Sequence, residues 1–309
     1  MNESAQTVQP PGMQAAQIDL PKRKVEVEVA ALSDTGSVRP ANEDSFVVFR
    51  LGRFLEPLAT SIPEREMPPR TEEHGHVMIV ADGVGGLEAG ALASRTTLLT
   101  ALRFILHSPK WALNFNDPAT RKHEIDLLAV RARGYLAAAQ AEIRRQVEQN
   151  PGCAGMGSTF TGVYVVGYDA FVLHIGDSKA FVLRNGALQK ITRDHTMAQQ
   201  IADMGVIRQE DVAKHELQHV LTRAVGAYDA EADFQHFELR DGDRLLLCSD
   251  GLTDMVDELT IASLMSTAPA SDDACSALIN AALEAGGRDN VTVIVAGLRS
   301  AQGESVTDL

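Results

Sequence analysis

His76-Val77-Met78-Ile79-Val80-Ala81-Asp82-Gly83 is a short apolar run that stops at a carboxylate followed by glycine, and Arg244-Leu245-Leu246-Leu247-Cys248-Ser249-Asp250-Gly251 ends the same way. Length and content mark each as a strand. A buried strand that delivers an Asp to its exposed end is a rigid mount for a metal ligand or a catalytic acid. The glycine behind it lets the backbone turn sharply and bring its own carbonyl towards the same ion. Ala170-Phe171-Val172-Leu173-His174-Ile175-Gly176-Asp177 repeats the pattern. Any one of these ends also reads as an ordinary hairpin turn. Three such carboxylates in one chain favour a shared hard-cation site, because oxygen ligands suit magnesium, manganese and calcium.

The bulk of the chain sets bounds around that site. Its 309 residues allow one large domain or two small ones. A hydrophobic fraction of 45% and a charged fraction of 23% are ordinary for a folded globular protein. The formal net charge of -14 argues against a general nucleic-acid binder or a partner of anionic membranes. It also poses a problem for any anionic substrate, since metal ions or a local arginine would have to reverse the sign at the site. Cys153, Cys248 and Cys275 are far apart and form no CxxC pair, so they read as small core hydrophobes in a reduced, cytoplasmic protein. Met1 to Leu20 lacks the basic and apolar regions of a secretory signal. No stretch reaches the length of a membrane span.

Residues 1–22, rich in Gln and Pro with few large apolar residues, read as a disordered tail, and 301–309 as a short C-terminal tail. Strands are expected over Lys24–Val29, Ser45–Phe49, Ser158–Val166, Ala170–Ile175, Ala180–Arg184, Phe234–Leu239, Asp243–Cys248 and Val291–Ala296. Helices are expected over Gly90–Leu106, with Leu92, Leu99, Leu102 and Ile105 or Leu106 on one side, and over Glu124–Gln149, with Ile125, Leu128, Ala132, Leu136, Ala139, Ile143 and Val147 as its apolar stripe. Thr253–Met265 and Ser271–Ala285 read as further helices, and His195–Gly205 and Asp211–Ala224 as helical or irregular. The proline-rich residues 55–75 read as a loop or hairpin insertion. Strands joined by hairpin-length turns, with long helices inserted between them, indicate a single α+β domain with helices flanking stacked antiparallel sheets.

Further motifs stand beside the strand ends. Ser33-Asp34-Thr35-Gly36-Ser37-Val38-Arg39-Pro40-Ala41-Asn42-Glu43-Asp44 places an arginine, the preferred fork for phosphate oxygens, five residues before an Asp. Then follow Val80-Ala81-Asp82-Gly83-Val84-Gly85-Gly86, Gly157-Ser158-Thr159, Ile175-Gly176-Asp177-Ser178-Lys179, Leu247-Cys248-Ser249-Asp250-Gly251-Leu252 and Gly287-Arg288-Asp289-Asn290-Val291-Thr292. Order, spacing and flanking residues together resemble the metal-dependent protein phosphatases (PPM, type 2C) in their bacterial form, over roughly residues 25 to 298.

The resemblance implies a four-layer αββα sandwich over 23–300, with two Mn²⁺ or Mg²⁺ ions at one edge of the sheets and a weaker third ion. It implies Asp82 as the bridging ligand, with the Gly83 carbonyl on one ion and Asp250 and Asp289 on the other. Glu43 and Asp44 would act on the Gly83 side, directly or through water. Asp177 would hold the third ion with Asp250, and Arg39 would grip the substrate phosphate. The activity implied is hydrolysis of phosphoserine and phosphothreonine in proteins, opposing a bacterial Ser/Thr kinase. The chemistry is consistent: divalent ions neutralise an anionic phosphoester and acidify a water, so no serine or cysteine nucleophile is needed. Val84 stands where eukaryotic members carry a histidine, which leaves the general acid open, and His195 reads as a buried or capping histidine. The resemblance also places a mobile flap at about 203–221.

Two other readings compete. His215-Glu216-Leu217-Gln218-His219 matches the HExxH helix of zinc metalloproteases, with Glu216 as base and Glu238 as a conceivable third ligand. A pseudophosphatase would keep the fold as a binding module; against it, Asp82, Asp250 and Asp289 are all present.

Overall fold

Valine alternating with glutamate makes β1 (Val25–Asp34) a strand with one apolar edge, and it pairs antiparallel with β12 (Val291–Ser300), Val25 opposite Ser300 and Asp34 opposite Val291. The computed structural model describes residues 25–53, 61, 63, 73–107, 118–227 and 231–300. The expected tails, and nearly all of the 55–75 insertion, lie outside the described residues. Residues 73–75 of that span belong to a strand, β3 (Glu73–Ala81).

The other elements are β2 (Ser45–Arg53), β4 (Gly83–Val84), α1 (Leu87–His107), α2 (Pro118–Gln149), β5 (Gly157–Ser158), β6 (Phe160–Val166), β7 (Asp169–Ile175), β8 (Lys179–Arg184), β9 (Ala187–Lys190), α3 (Met197–Asp203), β10 (Asp233–Glu238), β11 (Arg244–Cys248), α4 (Asp250–Thr253), α5 (Glu258–Thr267) and α6 (Ser271–Glu284). One five-stranded sheet has the order β1-β12-β11-β8-β9, the other β10-β7-β6-β3-β2, and β4 and β5 form a two-stranded pair. The strand pairings within the two large sheets are antiparallel.

Alternation along the strands explains the layering. Met78 and Val80 of β3, Val163 and Val165 of β6, and Val172 of β7 face Val182, Leu245, Leu247, Ile294 and Ala296 of the opposing sheet in one buried core. Their neighbours point the other way. Val77, Ile79 and Leu173 pack with Leu136 and Ile143 of α2, and Phe181, Leu246, Val293 and Val295 pack with Ile261 of α5 and Leu278 of α6. Central strands buried on both faces carry apolar residues at consecutive positions, which is why the runs before Asp82 and Asp250 are unbroken. The result is the expected four layers.

The structure departs from expectation in detail. Asn185 (φ 53°) and Gly186 (φ 77°) form the hairpin turn anticipated there, and the chain returns as a strand, β9, that its mixed composition conceals. The helix expected over Thr253–Met265 is two helices. Asp257 caps α5 by accepting from the Thr260 N–H at 2.9 Å, so the chain breaks between Thr253 and Glu258. On α1 the expected face holds only in part: Leu92 packs against the core, and Leu102 and Ile105 are half-buried, but Leu99 is 54% exposed and Leu106 77% exposed. Small residues form the buried side, Ala93, Thr97 and Ala101 with Leu98, because they let the helix sit close to its neighbours. The α2 stripe is buried from Ala132 to Ile143, with Ile125, Leu128 and Val147 partly covered. All three cysteines are free and buried. Among the described residues no helix is long and apolar enough to cross a membrane.

Leu98→Ala should cost about 2–5 kcal/mol of unfolding free energy, as buried leucine truncations do. Leu99→Ala, one residue on, should stay within about 0.5 kcal/mol. Urea melts of the two variants measure this; equal losses would contradict the assigned helix face.

Candidate metal centre

β3 hands its last residue to Asp82, and Thr159 grips that position from both sides. The Asp82 N–H donates to Thr159 Oγ1 at 2.9 Å, and the Asp82 carbonyl accepts from the Thr159 N–H at 2.8 Å. The glycine that follows is required by crowding. A Cβ on Gly83 would lie 2.1 Å from the carbonyl oxygen of Gly90 in α1 and 2.8 Å from that of Glu43. A Cβ on Gly90 would lie 2.2 Å from Glu43 Oε2. Gly251 meets the Asn290 carbonyl oxygen in the same way, at 2.1 Å. Neither Gly83 nor Gly251 has a positive φ, so the sharp turn expected at those two glycines gives way to close backbone approach. Gly176, at φ 111°, does use the left-handed region.

The other expected residues arrive from neighbouring strand ends. Asn290 organises the loop before β2: its Oδ1 accepts from the Glu43 N–H at 2.8 Å, and its Nδ2 donates to the carbonyls of Thr35 and Ala41 at 2.8 and 3.0 Å. Asp44 Oδ2 accepts from Ser249 Oγ and Thr292 Oγ1, both at 2.7 Å. Its Oδ1 is buried without a hydrogen-bond partner among the described residues. Asp250 opens α4, and Asp289 sits just before β12 with Arg39 Nη2 donating to its Oδ2 at 2.5 Å. Asp177 lies in the turn between β7 and β8, and Lys179 Nζ donates to its carbonyl at 2.9 Å. The ends of β3, β7 and β11 and the starts of β2, β8 and β12 thus share one end of the sandwich, with all eight expected residues around them.

Charge crowding there is severe. Burial, then Asp44, Asp250, Asp177 and Asp289, holds Asp82 well above the ordinary carboxyl range. Burial lifts Asp44 to about 7 against the pull of Ser249 and Thr292, and lifts Asp177 to about 8, with Asp250 adding to the shift. Burial also lifts Asp254 to about 6. Asp250 goes the other way. Burial pushes it up, but His219, Lys179 and a hydrogen bond with Asp82 outweigh that and leave it the ionised member. Glu43 is raised by burial, with Arg39 opposing. Clustered carboxylates that cannot all ionise, one with an orphaned buried oxygen, fit divalent cations, which supply the missing positive charge through oxygen ligands.

Several participants were not anticipated. Ser249 and Thr292, which hold Asp44, lie inside the quoted motifs as neighbours of Asp250 and Asp289. Asp254 falls four residues after Asp250, one helical turn on, a spacing visible in the sequence. His219 Nδ1 stands 3.7 Å from Asp250 Oδ2 and 3.5 Å from Asp254 Oδ2, a meeting across the chain that no local pattern announces.

The HExxH reading fails on geometry. A 3-10 helix ends at Lys214, His215 has extended backbone, and the residues after it form turns. The two histidines therefore do not share a helical face. His215 Nδ1 accepts from the Leu217 N–H at 3.1 Å, and Glu238 pairs with Arg121 at 2.9 Å. His195 is buried and structural, accepting from the Gly176 N–H through Nδ1 at 3.2 Å with Nε2 3.2 Å from Asp233.

The chain is similar to known proteins in sequence and in fold. The family pattern of Protein phosphatase 2C matches residues 69–285. The serine/threonine protein phosphatase PstP of Mycobacterium tuberculosis is 35% identical over 267 residues, 86% of this chain and 44% of that protein. The chain therefore spans less than half the length of that relative. The crystal structure of the M. tuberculosis serine/threonine phosphatase PstP/Ppp superposes with a TM-score of 0.70 at 32% identity, covering 88% of this chain and 99% of the other. The PstP catalytic domain in complex with two manganese ions has a TM-score of 0.68 at 31% identity, covering 90% of this chain and 100% of the other.

The raised carboxyls fix a sign for pH. Asp44 and Asp177 titrate higher folded than unfolded, so they favour the metal-free fold below the ordinary carboxyl range. That contribution is lost as pH rises through about 7 and about 8. Cation binding requires the same groups deprotonated. The gain in Tm on adding Mn²⁺ to chelator-treated protein should therefore grow between about pH 5 and about pH 8. A gain independent of pH would refute the ligand role of these carboxylates.

Proposed function

The chain belongs to the protein phosphatase 2C family, and we propose that it is a metal-dependent protein serine/threonine phosphatase whose site is the carboxylate cluster at the shared end of its two sheets. The observation that carries this is the convergence of Asp82, Asp44, Asp177, Asp250 and Asp289 beside an arginine, with Asp44 Oδ1 buried and unpartnered among the described residues.

In this reading Asp82, the Gly83 carbonyl, Glu43, Asp44, Asp250 and Asp289 would hold two core ions, Mn²⁺ or Mg²⁺, and Asp177 with Asp250 would hold a weaker third. When bound, the ions supply the positive charge that a phosphoester needs and lower the pKa of water. The chain does the rest. Thr159 fixes Asp82, Ser249 and Thr292 aim Asp44, and Asn290 holds the Glu43 backbone, so the carboxylates keep their places despite mutual repulsion. Arg39 is half exposed on Asp289, and its planar fork can exchange that carboxylate for the phosphate of a substrate. Val84, 42% exposed at the mouth, offers no proton. The substrates proposed are phosphoserine and phosphothreonine in proteins, with a Ser/Thr kinase or its targets as partners in the cytoplasm. A pseudophosphatase is disfavoured by the intact set of carboxylates.

Hydrolysis of p-nitrophenyl phosphate and of phosphothreonine peptides should require added Mn²⁺ or Mg²⁺ and stop with EDTA. Asp82→Ala should abolish turnover and weaken both core ions, with Asp250→Ala and Asp289→Ala nearly as severe. Full turnover in excess chelator would sink the proposal.

Arg39→Ala should raise KM by roughly tenfold with kcat largely kept, since a clamp present in ground and transition states affects binding alike in both. An unchanged KM with a collapsed kcat would move Arg39 to a transition-state role.

A further inference from the structure

β6 and β7 carry a polar pair where alternation calls for apolar side chains. Thr161 and His174 stand directly opposite each other on the faces that Val163 and Val172 turn towards the other sheet, and both are buried. A buried hydroxyl or imidazole is destabilising unless it is hydrogen-bonded. The contacts made here lead to the metal centre. His174 Nδ1 lies 2.9 Å from Thr161 Oγ1, which lies 3.0 Å from the Ser178 carbonyl. Ser178 Oγ in turn lies 2.7 Å from Thr159 Oγ1, the atom that receives the Asp82 N–H. We propose that Thr161 and His174 are positioning residues for the metal centre: they seat Ser178 against the threonine that grips Asp82, and they tie that seat to the backbone at Arg193. Their role rests on the phosphatase reading in taking Asp82 as a ligand.

Three features support it. First, Thr159 and Thr161 hold Ser178 at both of its polar ends, the hydroxyl and the carbonyl. Ser178 follows Asp177, so the turn that bears one expected ligand is braced against the residue that fixes another. Second, the available protons orient the pair. Burial, helped by the His195 ring centred 4.9 Å away, drives the His174 imidazole down to about 3, so the ring carries a single N–H. A carbonyl only accepts, and the Arg193 carbonyl lies 3.0 Å from Nε2, so the N–H is on Nε2. Nδ1 is left as an acceptor. The Thr161 O–H then serves Nδ1 and the Ser178 carbonyl together, at nearly equal distances, as a three-centre bond. Third, Arg193 leads outward: its Nε donates to Asp203, the last residue of α3, at 3.1 Å. An aliphatic pair at 161 and 174 would fill the same space and make none of these connections.

The test is amide hydrogen exchange and Mn²⁺ calorimetry on the full chain, for the parent, Thr161→Val, Thr161→Ser and His174→Leu. In metal-free protein the Asp82 amide should exchange at least roughly tenfold faster, relative to the Leu246 amide in the other sheet, in Thr161→Val and His174→Leu. Thr161→Ser keeps the hydroxyl and should match the parent. A purely structural role would speed both amides alike through lower stability and leave their ratio unchanged. Mn²⁺ should bind at least roughly tenfold more weakly to the same two variants, as when an outer partner of a metal ligand is removed. Nitrogen-15 NMR of the parent should show a neutral His174 with its proton on Nε2, a readout that needs no variant to fold. An unchanged exchange ratio in folded Thr161→Val, or a His174 proton on Nδ1, would overturn the role. If the parent binds no Mn²⁺, the phosphatase reading itself fails, and the exchange ratio still judges Thr161 and His174. If the parent binds Mn²⁺ and Thr161→Val binds it equally with an unchanged ratio, only this inference fails.

Discussion

Like-charge repulsion at one end of the sandwich is the constraint that the rest of the molecule accommodates. Asp82, Asp44, Asp177 and Asp250 meet where burial and their own fields oppose ionisation, so the protonated and charged forms are divided unevenly among them. A cluster of that kind would separate on any flexible support. It persists because each aspartate sits at the end of a strand, or of a turn between strands, packed on both faces. Separating the carboxylates would mean moving Val80 against Leu247 and Ile294 in the layer between the sheets. The four-layer core thus supplies the stiffness, and the site stores the repulsion that bound cations relieve.

That packing leaves no room for side chains where the segments cross. Gly83 lies against Gly90, Gly90 against the Glu43 carboxylate, and Gly251 against the Asn290 carbonyl. Gly36, at φ 78°, lies against the carbonyls of Asp289 and Gly287, where a Cβ would come within 2.3 Å of Asp289 O. These are contacts between segments far apart in sequence, and they hold the ligand-bearing backbones together. An alanine at Gly83 would push α1 away from β4, and the Glu43 loop with it. The damage would pass through geometry even though no ligand atom had been removed.

The central strands were legible because burial on both faces leaves continuous apolar runs, and because each run ended at an aspartate. The same logic fails where composition is mixed. β9 reads Ala-Leu-Gln-Lys, with nothing to distinguish it from loop, and only the Asn185-Gly186 turn before it hints at a return. On α1 the large leucines misled, since the buried side is set by how closely small residues let the helix approach. Within the site, residues inside short motifs were recoverable and residues joined only by tertiary folding were not. Asp254 could have been noticed from its one-turn spacing to Asp250. His219 stands out in the sequence only as half of an HExxH helix, which the turns after Lys214 do not form.

The segment that ends at Leu221 is tethered there, and His219, just before the tether, stands beside Asp250 and Asp254. Thr196 and Leu221 form a bridge, the Met197 N–H donates to the Val220 carbonyl at 2.8 Å, and the Thr222 N–H donates to the His195 carbonyl at 2.8 Å. His195 in turn donates its own N–H to the Gly176 carbonyl at 2.7 Å and accepts from the Gly176 N–H through its ring. Its second ring nitrogen faces Asp233, which Arg223 also reaches. The neck of the segment is therefore braced to the same glycine that places Asp177. Movement of residues 204–221 must pivot on this neck, and any pull on it is felt one residue from a carboxylate of the cluster. Buried His195 is best understood as the part that keeps these two tasks in register: it holds the loop's return while keeping the Gly176 turn in its left-handed conformation. A histidine suits that position because one ring edge can accept a backbone N–H while the other meets a carboxylate, a combination that no aliphatic core residue provides.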